Sequence, residues 1–269
     1  MLAASAGCLT LALKPFGTAK QSPSVTDGYC PYIVKMACLI LSFSPECLSR
    51  RPKAVPFATN VFVNCPFDEE YGPMLQPLLF TIISVGLRPR IALESLDSGQ
   101  PRIEKVLRLI RESRFGIHDL SRMQARRRNE IFRLNMPLEL GIDFGCRRFG
   151  GGALHRKRCL ILESERYRFQ AAISDLSGSD IGSHDDQPIR IVSIVRDWLR
   201  NEAHVTAAAG HEIWSDFNEF SRENTKRLTA DGFSERHIAA LSVKELMEQM
   251  SIWLNSPRSR LNSAGGGRR

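Results

Sequence analysis

Between Ala58 and Leu199 two kinds of apolar run alternate, and this alternation constrains the fold more than any other feature of the chain. Asn60-Val61-Phe62-Val63-Asn64 is short, β-branched and bounded by polar residues, which suits a strand buried on both faces. Across Tyr71–Val85 the residues Leu75, Leu78, Leu79 and Ile82 fall at helical spacing. Arg90–Glu94 predicts a second strand, Ile103, Val106, Leu107 and Ile110 a helix, and Arg114–Leu120 a third strand. Pro137–Cys146 reads as a helix with proline in its first turn, and Arg158–Glu163 as a fourth strand. Helices over Arg166–Ser174 and Pro188–Leu199 follow, with a short edge strand between them.

Strand and helix in strict alternation imply right-handed crossovers and a parallel sheet covered by helices on both faces. The spacing fits a small flavodoxin-like α/β sheet of four to five strands over residues 58–200, since a barrel needs eight such units. From 201 to 255 the pattern is helical: Ile213–Arg227, Ser234–Leu241 and Ser242–Leu254, with Ser242 and Glu245 forming a capping box. This predicts a helical C-terminal appendage. Residues 1–57 hold no sustained period and are scattered with Pro, Ser and Gly, which predicts a poorly ordered extension. Residues 256–269, ending Gly265-Gly266-Gly267-Arg268-Arg269, read as a disordered basic tail.

The net charge of +8 raises the question of nucleic acid, and its distribution answers it. Residues 1–57 carry six Lys/Arg against two Asp/Glu, and 256–269 carry four arginines and no acid. Residues 58–255 therefore balance to zero, which argues against a basic nucleic-acid surface on the folded part. No apolar run approaches the roughly 20 residues of a membrane-spanning helix. Lys14 follows the first apolar stretch where a signal peptide would want its charge before it. Seven cysteines with no CxxC indicate neither a disulfide framework nor a zinc site, so reduced thiols and a cytoplasmic location are expected. Asp175, Asp180, His184, Asp185 and Asp186 match no calcium loop and read as a solvated segment, with His184 near enough to the strand ends to touch a ligand; no metal is expected.

In an open parallel sheet, ligands bind beyond the carboxyl ends of the strands, where strand order reverses. Three stretches fall there: Asn64-Cys65-Pro66-Phe67-Asp68-Glu69-Glu70-Tyr71, His118-Asp119-Leu120-Ser121-Arg122, and Asn135-Met136-Pro137-Leu138-Glu139-Leu140-Gly141. None is a GxGxxG or GxxxxGK[ST] loop, so a dinucleotide cofactor fold or a P-loop enzyme is disfavoured. Gly150-Gly151-Gly152 precedes a strand and reads as a connector. Glu139, early in a helix that faces the sheet's carboxyl edge, is the candidate catalytic carboxylate, or else it complements the helix dipole. Asn135 is the preferred cap of that helix. Asp68 either binds ribose hydroxyls or caps the next helix, and Asn64 either braces its loop or touches ligand. Tyr71 and Phe67 either stack on a base or pack the loop. Asp119 could orient Ser121, Arg122 or a ligand, and Arg122 could meet a phosphate or a carboxylate. His118 reads as structural, Arg126-Arg127-Arg128 and His155-Arg156-Lys157-Arg158 as solvated charge, and Trp198, Trp214 and Trp253 as core.

A strand ending Asn64-Cys65-Pro66-Phe67-Asp68, one ending Asp119-Leu120-Ser121, and a helix carrying Glu139-Leu140-Gly141 together resemble the nucleoside 2-deoxyribosyltransferase and TIR group over residues 58–200. The chain departs from the transferases in having Asn135-Met136-Pro137 where they carry an Asp-Gly-Thr-like turn, and it lacks the usual TIR Trp-Cys pair before the Glu. The resemblance implies cleavage or transfer at an N-glycosidic bond, with NAD or a related nucleotide as substrate rather than cofactor and Glu139 as the required acid. It assigns Asn64, Asp68, Tyr71, Asp119, Ser121, Arg122 and Asn135 to substrate binding. It also implies homo-oligomerisation on activation and a role in bacterial defence. The alternative from another class is a nucleotide-sensing or scaffold module without turnover.

Overall fold

The computed structural model describes residues 56–95, 97–123, 134–168, 173–176 and 178–256. All lie in one compact unit that spans Ala54–Arg269. The expected extension over 1–57, apart from its last two residues, falls outside the described set, as do Arg126-Arg127-Arg128 and the tail from residue 257.

Five parallel strands form one sheet in the order β2-β1-β3-β4-β5: β1 Asn60–Asn64, β2 Arg88–Ile91, β3 Phe115–Asp119, β4 Arg158–Glu163 and β5 Ile181–Ser183. The helices are α1 Gly72–Ser84, α2 Arg102–Arg111, α3 Asn135–Phe149, α4 Pro188–Glu202, α5 Gly210–Ala230, α6 Glu235–Ala239 and α7 Val243–Leu254. This is a flavodoxin-like α/β fold with a helical C-terminal region. Strand order reverses between β1 and β3, which places the ligand crevice at their carboxyl ends.

The period of two along each strand divides the core. Val61 and Val63 pack with Leu75, Leu78 and Leu79 of α1, with Ile191 and Val195 of α4, and with Phe217 and Met250 of the C-terminal helices. Phe62, between those valines, points the other way, onto Val106, Leu109 and Ile110 of α2 and Ile142 of α3. All three β1 side chains are buried, each contributing roughly 1.5–3 kcal/mol to the folded state. The helices after residue 201 therefore share the core of the sheet's first face. Trp198, Trp214 and Trp253 pack against that same core.

Several boundaries differ from expectation. β2 ends at Ile91, because Glu94 folds back to Arg90 (2.8 Å) and accepts from the Ile91 amide, turning Ala92–Glu94 into a 3-10 turn. The α2 stripe is Val106, Leu109 and Ile110, and Ile103 is exposed. Over the expected helix at Arg166–Ser174, Tyr167 takes a positive φ of 70°, a conformation that no helix continues through. Ser242 caps α7 through the Glu245 amide (3.2 Å), as expected.

Candidate functional site

The β1 loop and the start of α3 enclose a cavity of about 230 Å³, at the point where strand order reverses. Asn64, Cys65, Pro66, Phe67 and Asp68 line it from the β1 side, Asn135, Met136 and Glu139 from α3, and Arg102 from the head of α2.

Glu139 is held there by the helix period. Met136, Glu139, Leu140 and Asp143 form the buried i, i+3, i+4, i+7 stripe of α3, so two carboxylates occupy positions that packing would give to apolar residues. Glu139 is 8 % exposed and, among the described residues, has no hydrogen bond or ion pair. Burial pushes its carboxyl up to about 7, against the opposing pull of Arg102. A carboxyl that titrates near neutrality can serve as ionised nucleophile, electrostatic partner or proton donor with small changes around it.

The N-terminus of α3 differs from expectation. The helix begins at Asn135 with Leu134 as its cap, a residue whose side chain makes no capping hydrogen bond. Pro137 is the third helical residue, where a missing N–H costs no intrahelical bond. Asn135, released from capping, is exposed and lines the cavity. Asp68 lines the cavity, and its carboxylate accepts from the Tyr71 amide at 2.9 Å, which caps the 3-10 turn Glu69–Tyr71 that leads into α1. Phe67 lines the cavity too, with the Arg102 guanidinium 5.4 Å from its ring centroid.

Asn64 and His118 are register partners on neighbouring strands. The Asn64 amide nitrogen donates to His118 Nδ1 (3.1 Å) and to the Met136 carbonyl (2.9 Å), tying β1, β3 and α3 together. His118 Nε2 meets Asp143 Oδ2 at 3.1 Å, and Lys157 Nζ lies 3.1 Å from Asp143 Oδ1. Lys157, expected at the surface, is fully buried. It also donates to the Ile110 carbonyl at 2.7 Å and to that of Ser113. Burial would raise the Asp143 carboxyl, but His118 and Lys157 hold it below its ordinary value. Gly116 makes room for this pair: a Cβ there would sit 2.3 Å from Asp143 Oδ2 and 2.8 Å from His118 Nε2. His118, Asp143 and Cys159 offer ligand atoms within 4.8 Å of one another. The site is a poor metal cage, because the Lys157 ammonium already neutralises Asp143 and burial pushes the Cys159 thiol up far from thiolate.

The remaining expected binding residues do not line the cavity. Asp119 projects to the opposite face of the sheet, where its carboxylate accepts from the Tyr71 hydroxyl, the Ser121 amide (2.8 Å) and His184 Nε2 (3.0 Å). Burial opposes ionisation of Asp119, yet His184, Ser121 and Tyr71 keep its carboxyl below the ordinary value. Burial and the Asp119 charge hold the Tyr71 phenol far above its usual range, so it stays a donor. Tyr71, Asp119 and His184 are fully buried. Arg122 pairs with Glu70 at 3.4 Å. Ser121 Oγ and Arg122 Nε are buried without a hydrogen-bond partner among the described residues.

Sequence reasoning overlooked Arg102 and Asp143 and placed Lys157 at the surface. Asp143 carried a readable signal, since a second carboxylate four residues after Glu139 on one buried stripe requires a buried cation. Cys65, at the cavity wall, is a poor nucleophile: burial, with Asp119, Glu139 and Asp68 nearby, pushes its thiol well above the usual range.

In comparisons with known proteins, no family model, no curated protein and no solved structure matches this chain. Among the described residues no helix is long and apolar enough to cross a membrane.

Proposed function

We propose that this chain cleaves or transfers the N-glycosidic bond of NAD or a related nucleotide, with Glu139 as the carboxylate that faces the anomeric carbon. The observation that carries the reading is Glu139 itself: a carboxyl raised to about 7, without a bonded partner among the described residues, in the wall of a cavity at the crevice of a flavodoxin-like sheet. Departure of the base leaves an oxocarbenium-like sugar, which an adjacent carboxylate stabilises electrostatically or captures covalently. Asn64 and Asp68 supply acceptors suited to sugar hydroxyls, Arg102 a cation suited to phosphate, and Phe67 an aromatic face suited to a base.

The cavity wall supports a pyridinium substrate over a purine nucleoside. Nicotinamide leaves a cationic substrate as a neutral base and needs no proton, whereas a purine leaves well only when protonated. Burial pushes the Cys65 thiol up and makes it a weak acid, so among the described lining residues Glu139 is the one group suited to general-acid work. Activation through self-association, a cytoplasmic location and a part in bacterial defence belong to this proposal and rest on the resemblance alone.

The test is nicotinamide release from NAD by the full chain at high protein concentration, with Glu139→Ala alongside. Release abolished in the variant supports the reading. Because an ionised Glu139 is required, kcat/KM rises with pH through about 7 and levels above it. Intact NAD and intact nucleosides under every condition of assembly would leave a sensing module, recognisable by a nucleotide-induced rise in melting temperature without turnover.

A further inference from the structure

Lys157, Asp143 and His118 form a buried chain that ends on Asn64, and its hydrogen-bond polarity is determined throughout. Asp143 accepts, so His118 Nε2 carries the proton and His118 Nδ1 is the acceptor. His118 Nδ1 and the Met136 carbonyl then consume both hydrogens of the Asn64 amide. What remains of Asn64 is its carboxamide oxygen: both side-chain hydrogen bonds of Asn64 among the described residues run through its nitrogen, and the side chain lines the cavity. Asn64 on its own could turn either a donor or an acceptor toward a ligand. Wired to His118, it presents only the acceptor.

We infer that the Asp143–His118 pair fixes Asn64 as an obligate acceptor for a ligand hydroxyl, and that the cavity thereby selects ribo- over 2-deoxyribo-configured sugar phosphates. This deepens the proposed function and rests on it. With Asp68 and Glu139 also lining the cavity, the described polar wall holds three acceptor side chains, Arg102 as its one cation among the described residues, and the Asn135 amide. An acceptor wall suits a sugar with adjacent hydroxyls, and a sugar that lacks one leaves an acceptor desolvated and unpaired. His118 and Asp143 are positioning residues here, acting through Asn64 without touching the ligand.

The experiment is NMR titration of the full chain with ribose 5-phosphate and with 2-deoxyribose 5-phosphate, neither of which has an N-glycosidic bond to cleave. Wild type is expected to bind the ribo sugar at least tenfold more tightly. Asn64→Ala and His118→Phe are expected to erase most of that preference by weakening ribose 5-phosphate alone, a pattern that general structural damage would not give. Should His118→Phe fail to fold, Asn64→Ala still decides. In wild type the Asn64 side-chain amide protons are expected to exchange slowly with solvent, since both are bonded. Equal binding of the two sugars, or variants that weaken both in parallel, overturns the inference while leaving nicotinamide release untouched. Absence of any ribose 5-phosphate binding overturns it as well, and nicotinamide release then tells whether the glycosidase reading falls with it.

Discussion

Replacing Glu139 with glutamine should stabilise the protein at alkaline pH. The folded-state carboxyl titrates at about 7 against an ordinary 4.5, and each unit is worth about 1.4 kcal/mol, so ionising the buried group costs about 3 kcal/mol. A carboxyl whose folded value is raised contributes its stability below the unfolded value and loses it as pH climbs through the folded one. The loss therefore develops between about pH 4.5 and 7. Glutamine mimics the protonated acid and avoids the loss. In urea denaturation at about pH 8.5, Glu139→Gln is expected to exceed wild type by about 3 kcal/mol, which for a unit of this size corresponds to roughly 6–12 °C in melting temperature. At about pH 4 the two should coincide. Nicotinamide release should be lost at both values, giving a variant that is more stable and inactive. If the two proteins unfold at one midpoint at alkaline pH, Glu139 is solvated, and the argument that burial poises it collapses.

Three further perturbations probe the scaffold. Lys157→Met strands the buried Asp143 charge and should cost about 3–5 kcal/mol in urea denaturation; adding Asp143→Asn should recover part of that loss. Gly116→Ala drives a methyl into the Asp143–His118 pair and should cost at least about 1–3 kcal/mol, measured as a lowered melting temperature. Tyr71→Phe removes one of three donors to Asp119 and should cost about 1.5–3 kcal/mol by chemical denaturation, while leaving any NAD cleavage near wild type, since neither residue lines the cavity.

The elements of the fold were legible because each carried its own period. The strand Asn60–Asn64 and the helices with stripes at 3.6 spacing needed no tertiary information, and their alternation dictated a parallel sheet. Boundaries failed where side chains intervened, as when Glu94 reached back to Arg90 and ended β2 early. The site was half legible. Asn64, Asp68, Asn135 and Glu139 converge as expected. Asp119 does not, although it too stands at a strand end beside the reversal point. Position along the strand was readable, but the face was not weighed: His118 projects with Asn64 toward α3, and Asp119, one residue on, projects toward α1 and α4. Lys157 was misread because a basic run before a strand looks solvated until Asp143, fourteen residues away, is seen to need it.

The charge bookkeeping of the interior separates structure from function. Asp119 meets His184, Asp143 meets His118 and Lys157, and Glu163 meets Arg168, each within hydrogen-bonding distance. Their partners hold Asp119 and Asp143 below the ordinary carboxylate value, while burial leaves Glu163 raised despite Arg168. Glu139 is also buried, though at 8 % exposure less completely than they are, and among the described residues it has only Arg102, acting through space. Three interior acids are given a histidine or cation, and the fourth has no bonded partner among the described residues. Leucine or methionine would serve the α3 stripe better, as Met136 and Leu140 do on either side of it. The proposed function gives such an acid a role beside fixed acceptors: a sugar carbon that becomes positive as its bond to a base breaks would supply the partner the described interior does not.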